Sequence, residues 1–439
     1  MFRHFKPGAM ALILLCAIAA AGAAAQINDS ARDRSAADQR RDTGKGGARV
    51  YKKRSKLPPS AATQALLQRA GRSAGPQFGD PLADLDASSR AAFDEGLAEF
   101  IAVETPEGGL GPIFNNNACA ACHTAGGIGG ASDLKVTRFG RRVNGQFDEM
   151  AALGGSLLQS QAIHPGALES VPPEANVIAQ RVTTPLFGLG LIDAVADETI
   201  ELNAQRRQAD GVKGRVARVL DVTSGKLRVG RFGWKAQQAS LLAFSGDAYL
   251  NEMGVTSRLF PFENAPNGRA DLLDRFDLVA DVEDAIDPVS GKSDIDHAAD
   301  FMRFLAPPPQ LRKDAAALAS ERIFARAECS ACHTPVLTTA PNAVAALSNK
   351  TLHLYSDLLL HDMGKLGDGI AQGTASQTEM RTAPLWGLRA RTTLLHDGRA
   401  ATARAAIELH DGEASASRLR FGALSAAEQS QLLAFLQTI

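Results

Sequence analysis

Four cysteines stand in two matching settings, Cys119-Ala-Ala-Cys122-His123 and Cys329-Ser-Ala-Cys332-His333, each a C-x-x-C followed at once by histidine. Two thiols at this spacing reach the two vinyl groups of a c-type haem, and the adjacent His is placed under the iron as proximal ligand. A structural zinc site made of the four thiols would leave both histidines without a role. A thioredoxin-like dithiol calls for a single C-x-x-C after a strand, whereas helical patterns precede both pairs here. The spacing therefore predicts two covalently bound haem c groups, attached at Cys119, Cys122, Cys329 and Cys332, with His123 and His333 on iron. With these four thiols in thioether bonds, none is left to act as a nucleophile, a redox dithiol or a disulfide. Any redox chemistry must run through iron.

The sixth iron position separates an electron carrier from a haem enzyme: a second protein ligand transfers electrons, and an open position binds substrate. Ala406-Ile-Glu-Leu-His410 aligns with Thr199-Ile-Glu-Leu-Asn203, which sets His410 opposite Asn203. On that alignment His410 completes the second haem and the first haem keeps a reactive position. Met363, in His361-Asp-Met-Gly, either competes with His410 or packs against the haem edge. His361 and His396 are candidate distal acid–base groups, or structural histidines bonded to loop carbonyls. Met150, His164 and Met253 could ligate the first iron or be ordinary loop and core residues. Trp234 and Trp386 could relay electrons between the haems or simply fill core.

The elements that must position these groups form a diverged repeat. Helical patterns precede each motif, Ser88 to Phe100 and Asp314 to Ala327. Arg181-Val-Thr-Thr-Pro185-Leu-Phe-Gly-Leu189 follows the first motif, and Arg381-Thr-Ala-Pro384-Leu-Trp-Gly-Leu388 the second. Each copy closes with an amphipathic Phe-Leu segment, ending at the prolines 307–309 and at the C-terminus. One small domain is used twice, and its first copy carries a large insertion. Alternating patches within 209–244 suggest a small β-hairpin there. The expected class is mostly α and loop-rich, with low strand content.

The chain has 439 residues, 45% hydrophobic and 22% charged, as a folded globular protein should. Its 47 Lys and Arg against 48 Asp and Glu give no bulk electrostatic reason to bind nucleic acid. Residues 1–25 combine a basic start, a short apolar run and an Ala-rich end, which predicts a signal peptide and a periplasmic or secreted protein. Cys16 leaves with that peptide, and Leu15 before it argues against lipidation. No other apolar run is long enough to span a bilayer, so the mature form is expected to have no integral membrane span. The next stretch is basic and polar and predicts a flexible leader over 26–85, either a solvated linker or a tether for an acidic partner or membrane surface. Domains are expected at 86–308 and 309–439.

The segments YSDLLLHDMG from Tyr355, RTAPLWGL, LLHDGRA, AIELHDGEA and LLAFL, with TTPLFGLGLIDAV and GRFGWKA earlier, resemble the di-haem oxidoreductase family, from about Phe93 to Ile439. That family is similar to the bacterial di-haem cytochrome c peroxidases and to the maturase of methylamine dehydrogenase. The resemblance implies two cytochrome c-like helical domains and peroxidase-like chemistry at the first haem, with electron transfer through the second. It also implies a small-molecule oxidant of peroxide type, an electron-transfer protein as partner, and a calcium ion between the domains. The relatives' His-Asp-Gly is matched by His396-Asp397-Gly398, but His410 stands where their axial Met or Tyr would be, so a high-potential His/Met haem does not carry over. Two other readings stay open: a di-haem electron-transfer cytochrome without its own catalysis, and a haem protein assisting metal uptake or sensing.

Overall fold

A computed structural model of the protein describes residues 56–70, 76–206, 209–311 and 315–439. The expected signal peptide, Cys16 and the leader as far as residue 55 lie outside them. The described chain falls within one compact unit running from Lys52 to Ile439. Among the described residues no helix is long and apolar enough to cross a membrane.

Two helix pairs frame the two motifs. Helix Ala87–Ile101 begins where the Asp86 side chain accepts the N–H of Ser89, and it packs along helix Asp294–Phe304, whose start is a Ser293/Asp296 capping box. Phe301 joins them, its ring 5.4 Å from that of Phe93 and 4.4 Å from that of Phe100. Gly96 sets how close the helices come: a Cβ there would lie 2.4 Å from the carbonyl oxygen of His297 and 2.7 Å from the Phe301 nitrogen. In the second half, helix Ala315–Arg326 packs on Ala426–Leu436, which opens with a Ser425/Glu428 capping box. Phe324, Tyr355 and Phe435 meet edge to face there, with centroids 5.7–5.8 Å apart.

The repeat extends to backbone conformation. Gly188 and Gly387, one in each Pro-Leu-(Phe/Trp)-Gly-Leu copy, both adopt left-handed angles (φ 71° and 70°) and start a short helical turn. A side chain at Gly188 would strike the Trp386 ring, so the first copy's turn is packed on the second copy's tryptophan.

Helix exceeds strand, 37% against 18%, so the class is mixed and loop-rich rather than mostly helical. The expected hairpin is present as Ala217–Asp221 paired with Lys226–Gly230. Beyond it, strand Ser132–Val143 pairs antiparallel with Val177–Thr183 and turns back into Gln146–Asp148 through Asn144 and Gly145, both at positive φ. Asn-Gly between alternating residues is a strong hairpin signal.

Two expected boundaries need correction. Lys56–Leu57 pairs with Val103–Glu104 and Ala61–Ala70 is a helix, so the leader does not run to residue 85. Lys56 is held by ion pairs with Glu99, Glu104 and Asp294, and Phe78 and Leu82 join the main core. Nor does position 308 divide two cores: Phe93, Phe301 and Leu305 share one cluster with Leu337, Leu354, Leu358 and Trp386. A separate cluster, including Phe324, Tyr355 and Phe435, belongs to the second half alone. Overpacking a helix contact costs about 1–3 kcal/mol. Gly96→Ala should therefore lower the stability of the folded protein by about that amount in urea unfolding, with no change in the surrounding helix content.

Candidate functional site

Both motifs are built alike. Cys119–Cys122 forms one helical turn and Cys329–Ala331 a tighter one; in each, the histidine N–H reaches back to the first cysteine's carbonyl, at 3.1 Å for His123 and 2.9 Å for His333. His123 Nδ1 lies 3.0 Å from the carbonyl oxygen of Gly130, and His333 Nδ1 lies 3.0 Å from that of Tyr355. A carbonyl only accepts, so each Nδ1 carries the proton and each Nε2 keeps its lone pair. Burial pushes both rings down to a pKa of about 4, so they stay neutral. The four cysteines form no disulfide. Burial pushes the thiols up as well, to about 12 for Cys119 and Cys329 and about 11 for Cys122, far from a reactive thiolate. Tyr355 sits in the left-handed region at φ 54°, uncommon for a bulky residue, and its carbonyl is the one that orients His333.

The second motif opens into a cavity. Cys329, Cys332 and His333 line it, together with His410, Met363 and the apolar side chains of Phe324, Leu385, Leu432 and Leu436. The rings of His333 and His410 are 6.4 Å apart between centroids. That separation matches one iron held between two ring nitrogens at about 2 Å from each. His410 Nδ1 donates to the Ala406 carbonyl at 2.7 Å, leaving its Nε2 available. Two buried guanidinium nitrogens in the wall, Nε of Arg391 and of Arg418, have no hydrogen-bond partner. An apolar cavity with two orphaned cationic N–H groups fits a flat apolar macrocycle bearing anionic side groups, as haem does.

His361 and His396 line the same cavity but differ in charge. His361 bridges Asp357 at 2.9 Å and Glu413 at 2.8 Å, and its Nδ1 lies 3.6 Å from Cys332 Sγ. Burial opposes its charge, yet these bonds outweigh it and hold the ring up to about 12. This doubly anchored imidazole braces the wall. His396 is buried and neutral, pushed down to about 4 by burial, with its ring against Trp234. Trp234 donates its indole N–H to the Val182 carbonyl at 2.9 Å and faces both this cavity and a smaller one lined by Trp386.

The first motif sits in the core that spans both halves. The aromatic ring against His123 is Phe100, at 5.9 Å. Asn203 is not the counterpart of His410: its amide donates to the Asp357 carbonyl at 3.4 Å, beside the second motif. His164 stacks on Phe276 and accepts the N–H of Gly166, Met150 closes a turn, and Met253 packs with Leu110 and Phe114. Sequence reasoning missed three half-buried charged residues here. Glu252 and Asp247, on helix Leu241–Met253, have carboxyls held above the usual range by burial, and Arg138 faces both. Glu252 accepts from Asn115 at 3.0 Å and lies near enough to Cys122 to raise its thiol further. No motif joins positions 138, 247 and 252, so only the fold could have found them.

A family profile described as "Di-haem oxidoreductase, putative peroxidase" matches residues 142–439, which takes in the second motif but not the first. The chain belongs to the di-haem oxidoreductase family. Membership carries a di-haem redox role. No curated protein matches the chain. Among solved structures it is similar to a MauG-like protein associated with microbial copper homeostasis, with 17% identity over 58% of this chain and 88% of that one and a TM-score of 0.30. It is also similar to hydrazine synthase of Kuenenia stuttgartiensis, with 14% identity over 91% and 98% and a TM-score of 0.36. Both scores are too low to argue from.

A buried ion network ties the halves together beside Trp234. Asp368 meets Arg181 at 2.7 Å and Lys235 at 3.0 Å, all three side chains being shielded from solvent. Burial alone would raise the Asp368 carboxyl, but Arg181 and Lys235 lower it overall. Its stabilising contribution is therefore present at neutral pH and is lost as pH falls through the folded-state pKa. Asp368→Asn leaves two buried cations uncompensated and should cost about 3–5 kcal/mol at pH 7 in chemical denaturation. The variant should also lose less stability than wild type on acidification.

Proposed function

We propose that the protein is an exported di-haem c-type cytochrome oxidoreductase. In this reading each half is a cytochrome c-like unit, the first haem meets a small oxidant of peroxide type, and the second takes electrons from an electron-transfer protein. The observation that carries it is the asymmetry of the two histidines. His333 faces a second imidazole, His410, across an apolar cavity, whereas His123 has Phe100 as its ring neighbour. The family's description as a peroxidase supports the same direction.

Cys119 and Cys122, and Cys329 and Cys332, would hold the haems by thioether bonds, with His123 and His333 as proximal ligands and His410 as the second ligand at His333. Bound there, haem iron supplies one-electron redox chemistry and, where a position is open, a site for peroxide. Reducing hydrogen peroxide to two waters takes two electrons and two protons, so the chain must deliver protons as well. Glu252 is placed for that, because burial keeps its carboxyl protonated to higher pH and Asn115 fixes its orientation. Arg391 and Arg418 would pair with anionic groups of the second haem. Met363 lines the wall as a packing residue and a fallback ligand. The calcium ion implied by the resemblance belongs to this reading too, as a brace between the halves.

Electron paramagnetic resonance of the oxidised and half-reduced protein, before and after peroxide, tests the proposal. The expected result is one low-spin haem and one that changes with peroxide; two low-spin haems in every state, indifferent to peroxide, would instead mark an electron carrier. His410→Ala should turn the second haem high-spin or move it to Met363 ligation, and an unchanged spectrum refutes the axial assignment. Glu252→Gln should leave both resting spectra intact and slow peroxide reduction roughly 10²-fold, the low end for loss of a positioned acid–base group.

A further inference from the structure

The first half contains two groups of three carboxylates with oxygens close together, and they differ in one respect. In Glu99, Glu104 and Asp294 the counter-charge is already in place: the Lys56 ammonium lies against Glu99, 3.2 Å from Glu104 and 2.8 Å from Asp294. In Glu263, Asp281 and Glu283 one oxygen from each lies within 4.8 Å of the others. Among the described residues, neither Glu263 nor Glu283 has a Lys or Arg partner.

Glu263 is the telling member. Both of its carboxylate oxygens are buried, and among the described residues neither accepts a hydrogen bond from an N–H or O–H. The charges that act on it most strongly are carboxylates, Glu283 first and then Asp281 and Asp277. Glu283 is itself fixed, since one oxygen accepts the Thr256 N–H at 2.7 Å and also the Thr256 hydroxyl. A buried carboxylate facing its own kind with no donor must either take up a proton or meet a cation. Three oxygens within 4.8 Å of one another are close enough to share one ion, since oxygens on opposite sides of a calcium ion at about 2.4 Å lie about 4.8 Å apart, and calcium accepts several carboxylates where magnesium keeps its waters.

We propose that Glu263, Asp281 and Glu283 bind a hard divalent cation of the calcium class. All three come from one stretch of the insertion, so the site is separate from an ion between two domains and does not rest on the haem reading. The ion closes the loop 256–284 against the end of helix Leu241–Met253, the helix that carries Asp247 and Glu252.

The test uses the full haem-loaded protein, stripped with a chelator and titrated with calcium chloride by calorimetry and thermal melting. Expected are one saturable calcium event, a higher melting temperature, and much weaker binding of magnesium. Glu263→Gln should weaken calcium binding at least tenfold while its metal-free melting temperature does not fall below that of metal-free wild type, because Gln carries no buried charge. Should that variant fold poorly, Asp281→Asn provides the same comparison. The proposal is overturned by no calcium event in wild type, by equal preference for magnesium, or by an event unchanged in the folded variants, which would assign the ion elsewhere.

Discussion

A histidine can ligate iron only if one ring nitrogen is neutral, unshared and held in a fixed direction, and the two motifs secure this in the same way. Each ring is buried, which removes the cationic form, and its Nδ1–H is spent on a loop carbonyl, Gly130 in one half and Tyr355 in the other. The rest of the architecture follows from needing that carbonyl in place. Gly130 ends a glycine-rich loop that folds back on Ala125, and Tyr355 accepts a left-handed backbone while its hydroxyl is anchored on Glu321 at 2.6 Å. The opening and closing helices then clamp each attachment turn from outside.

A shared frame with unlike contents gives the halves different chemistry. Around His333 the walls are apolar, with a second imidazole opposite and a charged histidine, His361, locked between two acids. Around Cys119 and Cys122 the protein places half-buried carboxylates instead, Glu252 and Asp247, with Arg138 facing both. Burial holds both carboxyls above their ordinary range, which favours the proton-bearing form.

What could be read without coordinates was whatever is local in sequence. The C-x-x-C-H motifs, the helices beside them, the paired Pro-Leu-x-Gly-Leu turns and the Ala217–Gly230 hairpin are set by residues within a turn or two of each other. The Asn144-Gly145 hairpin is equally local, set by a turn signal between two short strands. Contacts formed over long separations were out of reach: Asn115 with Glu252, Arg181 with Asp368, and Lys56 with Asp294 leave no periodic trace. The Asn203 and His410 comparison shows the limit of repeat alignment. The two triplets occupy related helices, but Asn203 is spent on the Asp357 carbonyl, so equivalence in sequence did not survive as equivalence of environment.

Duplication would ordinarily produce two domains that could part company, and the physical reason these do not is where the charges and the apolar surface were placed. Asp368 of the second half is neutralised only by Arg181 and Lys235 of the first, in a setting without water to take their place. Trp386 fills a gap that exists because Gly188 has no side chain, and Ala340 donates its N–H to Ala194 across the same seam at 2.8 Å. Separating the halves would uncover apolar surface and part the Asp368 carboxylate from both its cations. The shared seam keeps Trp234 and the two cavities it touches in one fixed relation.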